Sequence, residues 1–299
     1  MTIRVESCFV YPLKAAAALP VEQLELTPLG PLHDRRWLLV NDQHKRRGLF
    51  LSQREPGCER LALVGALPGQ YGSMTFSAPA MQPLSVEPNH LSERESAVDV
   101  WGEACRALDA GDEAAAWFSD YLNLPCRLVK MDERTARPTD PEYSQPGDRV
   151  SFADSMPLLV TNRASLEVLN AHMQDEAVGM ERFRPNLVFT GAAAFEEDVM
   201  HTLRIGDSVI EFALPCARCK VPTIDQRTGK TLSKEPVATL IATRRGASAT
   251  LKGIFFGQNA LPRTLGTIRC GDTVEVLSRR PVHAALEHVS LKYGDITVA

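Results

Sequence analysis

The 299-residue chain lacks any apolar run near the roughly 18 residues that a membrane span requires, so a transmembrane protein is not expected. No lysine and arginine block is longer than the HKRR of His44 to Arg47, and the net charge of −4 is spread along the chain. A stable nucleic-acid or anionic-membrane surface is therefore not advertised, while phosphate binding by a few local arginines stays open. The opening MTIRVESCFVYPLK has no basic start and no unbroken apolar run of the kind a secretion signal carries, and a cytoplasmic protein is expected. Seven cysteines, at 8, 58, 105, 126, 216, 219 and 270, are mostly isolated, which reads as reduced, buried thiols and not as a disulfide framework. A second Cys-x-x-Cys is missing as well: only Cys216 and Cys219 stand close together, and no histidine lies between His201 and His283.

What is present is an ordinary soluble balance, 44% apolar and 23% charged, long enough for one large domain or two modest ones. Leu24 and Leu26 alternate with Glu25 and Thr27, which predicts a strand, and two apolar runs around Asn41-Asp42 predict a hairpin. Residues 66–98 read as short strands with long connections. Ala114, Trp117, Phe118, Tyr121 and Leu122 recur at helical spacing behind an expected Asp112 cap. The stretch 135–149 holds three prolines and nothing aliphatic larger than alanine, a candidate loop between two halves. Beyond it the pattern predicts a strand, a helix capped by Asn162 with Leu166, Leu169 and Met173 on one face, and a strand in FRPNLVFTG. TLRIGDSVIEF (202–212) and TIRCGDTVEVL (267–277) share a Gly-Asp turn feeding an alternating strand, which suits a β-barrel. Helices do not alternate regularly with strands, so the expected class is a β-rich α+β protein.

The paired cysteines in PCARCKVPTIDQRTG admit four readings. Structural zinc needs a second ligand pair, which the sequence does not offer. A thioredoxin-type pair should open a helix, but Pro222 and the DQRTG turn follow instead. Two buried structural cysteines are the bland alternative. Arg218 between the sulfurs and Lys220 after them favour an ionised thiolate, a ligand for a soft metal or a carrier of sulfur.

CARCKVPTIDQRTG followed by SKEPVATL resembles the C-x-R-C…T-x-D-x-x-T-G…K-E-P signature of MOSC-domain proteins, in the branch of the amidoxime-reducing components. VYPLK (10–14), LTPLGPLHDRRWLLV (26–40) and SQRE (52–55) are similar to the β-barrel domain that precedes MOSC there. FADSMPLLVTNRASLEVLN, RFRPNLV and FGQN continue the likeness over nearly the whole chain. The resemblance implies an N-terminal β-barrel domain over 1–125, a MOSC β-barrel with peripheral helices over 126–280, and a tail over 281–299. It further implies a molybdenum-pyranopterin (molybdopterin) cofactor with Cys219 as its one protein ligand, and Cys216 without an essential role. Lys14, Arg35, Ser155, Arg184, Asn186 and Arg218 would bind the cofactor, and Asp225 would relay protons unless it merely forms a turn. Arg184 is expected to be extended because Pro185 follows. Arg35 and Arg36 should point to opposite sides if their segment is extended. Where the family often has serine after the lysine, this chain has Ala15, which removes one side-chain donor. The implied activity is reduction of small N-hydroxylated compounds: hydroxylamines, amidoximes and N-hydroxylated bases. Since EHVSLKYGDITVA carries no C-x4-C-x2-C run, electrons would come from a separate flavin, iron–sulfur or haem protein. A persulfide-carrying sulfur-transfer protein and a molybdopterin carrier are the alternatives.

Overall fold

The computed structural model describes residues 2–43, 45–46, 48–91, 95–135 and 137–294; His44 and Arg47 of the basic block, Ala136 of the proline-rich loop and 295–299 of the tail lie outside them. Seven of the nine described strands of the central sheet form its closed path: β1 (Arg4–Val10), β2 (Leu158–Asn162), β3 (Leu187–Thr190), β4 (Met200–Ile205), β5 (Ser208–Ala217), β6 (Lys252–Thr264) and β7 (Val274–Arg279). They pair in the order β1-β3-β2-β6-β5-β4-β7. The last strand returns to the first, through the bridge Arg4↔Thr273 and the bonds Val5 N to Asp272 O (2.9 Å) and Val274 N to Ile3 O (2.9 Å). That closure makes the sheet a barrel and removes its edges. Its filling comes from inward residues of every strand, among them Val5, Val160, Phe189, Leu203, Phe212 and Ala260.

Among these seven strands only β2 and β3 pair in parallel, and a parallel pair needs a crossover element. The crossover is α2 (Arg163–Ala171), whose cap Asn162 accepts a hydrogen bond from Ala164 N as the sequence predicts, with Leu166 and Leu169 packed on Val188 and Phe256. The Gly206-Asp207 turn makes the β4–β5 hairpin. Its counterpart at Gly271-Asp272 joins Thr267–Arg269, paired with Gln23–Thr27, to β7 of the barrel.

The other layer is a four-stranded sheet in the order Trp37–Asn41, Cys126–Met131, Glu103–Asp109, Glu95–Val100, beside a three-stranded meander over 65–86. The expected hairpin after Asn41 forms as a short antiparallel pairing, with the bridge Val40↔Phe50 and the bonds Asn41 N to Leu49 O (2.8 Å) and Leu51 N to Leu39 O (2.7 Å), while the other edge of Trp37–Asn41 takes Cys126–Met131. Helix α1 (Gly111–Leu122) buries Ala114, Phe118, Tyr121 and Leu122. Asp112 does not cap it: Ala110 holds that position, Gly111 N donates to Asp109 Oδ1 (2.8 Å), and Asp112 accepts from Arg127 (2.9 Å). Pairing ties the layers together, since β1 comes from the start of the chain yet closes the barrel of the later half. Gly30 adds a second tie. It adopts φ +91°, and a Cβ there would sit 2.5 Å from Pro157 O, so the loop leading to Arg35 lies flat on the loop carrying Ser155. Among the described residues no helix is long and apolar enough to cross a membrane.

Behind α2 a buried acid carries a measurable consequence. Glu197 accepts from Ser165 Oγ (2.7 Å) and Asn162 Nδ2 (3.0 Å), beside the buried Asp198–Arg244 pair (2.9 Å). Burial, with the neighbouring Asp198 charge, pushes the Glu197 carboxyl up to about 7. The folded state thus favours its protonated form, a stabilisation fully present below the ordinary carboxyl pKa and lost as pH rises through about 7. Glu197→Gln should remove that loss. Thermal melts between pH 5 and pH 8 should show the parent losing several degrees relative to the variant, and parallel curves would contradict the assignment.

Candidate functional site

A cleft of about 250 Å³ opens between the barrel and the first-half sheet. Seven of the eight residues expected at the site line it: Lys14, Arg35, Ser155, Arg184, Asn186, Arg218 and Cys219. They arrive from five separate segments, the 11–16 turn, the 31–36 turn, the loop before β2, the loop before β3, and the end of β5.

Arg35 and Arg184 stack on Tyr11, their guanidinium carbons 4.2 and 4.4 Å from its ring centroid. Neither backbone is extended. Arg35 has φ +48° and Arg184 φ +56°, so the expectation of an extended Arg184 before Pro185 is wrong. A tight turn, with Arg184 N donating to Glu181 O (3.2 Å), overrides the proline's preference. Left-handed backbone costs on the order of 1 kcal/mol at such residues, here at two residues that face the cleft. Arg36 does turn away from Arg35, donating to Leu29 O, Asp34 O and Thr27 Oγ1.

The two guanidinium groups differ in charge balance. Arg35 donates to Asp34 (2.7 Å), Asn186 Oδ1 (3.1 Å) and Arg184 O (3.2 Å). Arg184 donates to the neutral Gln226 Oε1 (3.1 Å), and no described acid lies within ion-pair distance of it. Burial, together with nearby Arg35, pushes Arg184 down to about 10. A guanidinium that is 9% exposed without a counter-charge is an unfinished anion site. Arg218 repeats the pattern: it donates to Cys216 Sγ (2.9 Å) and Phe183 O (2.7 Å), and its buried Nε has no partner. The cation expected between the two sulfurs therefore touches Cys216, while Cys219 is exposed on the cleft.

Lys14 donates to Phe152 O (2.6 Å) and to Asp154, and its amino group lies 5.0 Å from the Phe50 ring centroid. Burial lowers its pKa, against the opposing pull of Asp154. The Ser155 hydroxyl makes no hydrogen bond with any described residue, leaving a donor for a ligand. Ala15 lines the cleft with φ +67°, and its carbonyl accepts from Gln53 Nε2 (2.6 Å).

Asn186 has a different job from the one expected of it. Its amide donates to Asp34 Oδ1 (3.0 Å) and Phe9 O (3.2 Å), and its oxygen accepts from Arg35 and Leu159 N (3.1 Å). With every valence used, it aims Arg35 and leaves nothing for a ligand. Asn186→Ala should destabilise the protein by about 2–4 kcal/mol in chemical denaturation, because buried partners lose their bonds; a change below about 0.5 kcal/mol would remove the hub.

Asp225 does not line the cleft. Its Oδ1 accepts from Arg227 N, Thr228 N and Thr228 Oγ1, and Oδ2 pairs with Arg182 (3.0 Å). Burial works to raise its pKa, but these bonds and the Arg182 charge hold it below the ordinary value. A saturated, firmly ionised carboxylate makes a turn and is badly suited to relay protons. Four residues that the sequence reading passed over complete the wall. Tyr11 is the stacking surface and Asp34 the counter-charge of Arg35, while Gln53 and Gln226 form a reciprocal amide pair (3.1 and 3.0 Å) bridging the two layers. All four sit inside or beside the quoted motifs, but only the fold shows that they meet.

This constellation can be compared with known families. The model for the MOSC N-terminal beta barrel domain matches residues 2–125, and the MOSC domain model matches residues 147–275. The chain belongs to the MOSC-domain family. Within it, mitochondrial amidoxime reducing component 2 of Rattus norvegicus is 33% identical over 288 residues, covering 90% of this chain and 82% of the relative. The corresponding component 2 of Homo sapiens is 32% identical, with 90% and 82% covered. Component 1 of Xenopus laevis is 29% identical, with 92% and 82% covered. The two matched domain models, over 2–125 and 147–275, include every segment that reaches the cleft.

Proposed function

We propose that this MOSC-domain protein is a molybdenum-cofactor-dependent reductase of N-hydroxylated compounds, with Cys219 as the thiolate ligand of the metal. The observation that carries the reading is an exposed Cys219 in one cleft with the buried Arg184 and the half-buried Arg218, neither of them paired with a described acid. Among the described residues no three His, Cys, Asp or Glu side chains converge to hold a metal. A metal here would thus bring its other ligands with it, as a pyranopterin dithiolene does, and the donor set fits that group: one thiolate, cations and a serine hydroxyl. When bound, the cofactor supplies a metal that accepts an oxygen atom and cycles between oxidation states.

The chain's own residues bind and orient. Arg184 and Arg218 supply the positive charge for a phosphate, and Arg184 has free guanidinium donors for a bidentate grip. Arg35, fixed by Asn186 and Asp34, stacks on the same Tyr11 ring and adds charge beside Arg184. Ser155 and Lys14 sit at the same cleft as further donors. Overall, R–NHOH takes up two electrons and two protons, its N–O bond breaks, and R–NH2 and water leave. With Asp225 committed to its turn, the acid lining the cleft is Asp154, which pairs with Lys14 and accepts from Trp101 Nε1 (3.1 Å). Burial works to raise its pKa, but these partners hold it below the ordinary value, so it serves as the counter-charge of Lys14. The electrons come from a separate flavin, iron–sulfur or haem protein.

The test is expression in a molybdopterin-competent host, metal analysis, and turnover of a hydroxylamine with reduced methyl viologen. Near-stoichiometric molybdenum with reductive turnover is expected. A sulfur-transfer protein would contain no molybdenum, and a carrier would bind the cofactor without turnover; either outcome would replace the proposal.

A further inference from the structure

Cys219 lies at the head of a stretch whose charges folding sorts by sign. Between residues 217 and 252 the chain has eight lysines and arginines and two acids, Asp225 and Glu235. Both acids are buried and occupied, Asp225 in its turn with Arg182, Glu235 by Thr239 N (3.0 Å) and Thr239 Oγ1 (2.9 Å). Of the cations, Arg244 is buried against Asp198 and Arg218 points into the cleft. The other six, Lys220, Arg227, Lys230, Lys234, Arg245 and Lys252, are exposed, and their side chains make no hydrogen bond or ion pair with a described residue.

The fold sets five of the six on segments that adjoin the cleft, and Lys234 follows four residues after Lys230. Lys220 follows Cys219 directly. The Arg227–Lys230 turn abuts the cleft through Gln226, which contacts Arg184 and Gln53. Arg245–Ala247 pairs with Lys252–Ile254, and Arg218 N donates to Ile254 O (2.8 Å), which sets Arg245 and Lys252 on strands beside the Cys219 segment. Among the acids on neighbouring elements, Glu59 lies beside Gly229 with its carboxylate turned to Gly57 N (2.8 Å), and Glu287 follows the turn packed on Gly246. Leu232, 69% exposed between Lys230 and Lys234, adds an apolar contact. On a chain of net charge −4, six unpaired exposed cations in one stretch make a positive patch that attracts a surface of opposite sign.

We infer that this basic face around Cys219 is the docking surface for an acidic electron-carrier protein, the donor that the proposed reductase needs. The inference rests on that reading for its purpose and on the charge sorting for its place. Electron transfer falls off steeply with distance, and Cys219 is where a metal centre would lie nearest the surface. Clustered cations steer an acidic partner in and fix its orientation, while Leu232 gives the contact an apolar centre. Nucleic acid is disfavoured because no aromatic side chain interleaves these cations in the segment 217–252.

The test uses the full chain and reduced flavodoxin, an acidic flavin carrier, as the probe. Arg227→Glu, Lys230→Glu and Lys234→Glu, none of which lines the cleft, are combined in one variant. Calorimetry at low salt should show flavodoxin binding the parent and weakening tenfold or more with the triple variant, with a similar loss on adding salt. Carbodiimide cross-links between flavodoxin carboxylates and Lys230 or Lys234 should map the contact. Reduced methyl viologen should drive parent and variant equally. Equal flavodoxin affinity for both proteins, or no affinity at all, would overturn the docking surface, as would a duplex oligonucleotide binding the parent more tightly than flavodoxin does. Loss of methyl viologen turnover in the parent would instead count against the reductase reading and leave the binding comparison to decide the surface.

Discussion

Cys219→Ser is expected to reduce N-hydroxyl turnover per bound cofactor to background, whereas Cys216→Ser keeps most of it. A serine hydroxyl is a harder donor than a thiol and far less acidic, so it does not replace a thiolate on a soft metal. At 216 the situation differs. The Cys216 sulfur accepts from Arg218 Nη1 (2.9 Å), and a serine oxygen can accept the same bond. Because Cys219 is exposed and Cys216 only half-buried, neither substitution should cost much folding stability. A redox disulfide pair would instead fail in both variants alike. Turnover normalised to bound molybdenum separates the cases: equal loss at both positions, or full activity in Cys219→Ser, would defeat the single-ligand assignment.

Arg184→Ala should lower molybdenum retained through purification by tenfold or more, with Arg184→Lys in between. Lysine keeps the charge but loses the planar fork that grips phosphate through two bonds. The protein without cofactor should behave otherwise. There Arg184 is a buried charge with no described acidic partner, so removing it should leave cofactor-free stability within about 1 kcal/mol of the parent. A merely structural arginine would lose stability and cofactor together. Equal molybdenum content in all three proteins would contradict the phosphate role.

The contrast between Arg184 and Asn186 shows what sequence could reach. Both fall in one motif, RFRPNLV, and both line the cleft. Their different duties depend on Asp34, Phe9 and Leu159 consuming the Asn186 amide, contacts made across 27 to 177 residues that no local pattern encodes. Strand alternation and the Asn162 cap were legible because they are local. The Asp112 cap was not, since Asp109 and a left-handed Gly111 start the helix two residues earlier. Barrel closure was similarly out of reach, because β1 meets β7 across some 270 residues. In the stretch after Cys219 the sequence mixes both signs of charge, and its single-signed surface emerges only when Asp225 and Glu235 are buried.

Molybdenum K-edge X-ray absorption on the cofactor-loaded protein tests the central claim most directly. The parent is expected to show the sulfur neighbours of one dithiolene plus one further sulfur, and Cys219→Ser should lose that one sulfur while Cys216→Ser keeps it. An unchanged sulfur shell in Cys219→Ser, or its loss in Cys216→Ser, would contradict the assignment of Cys219 as the metal's protein ligand.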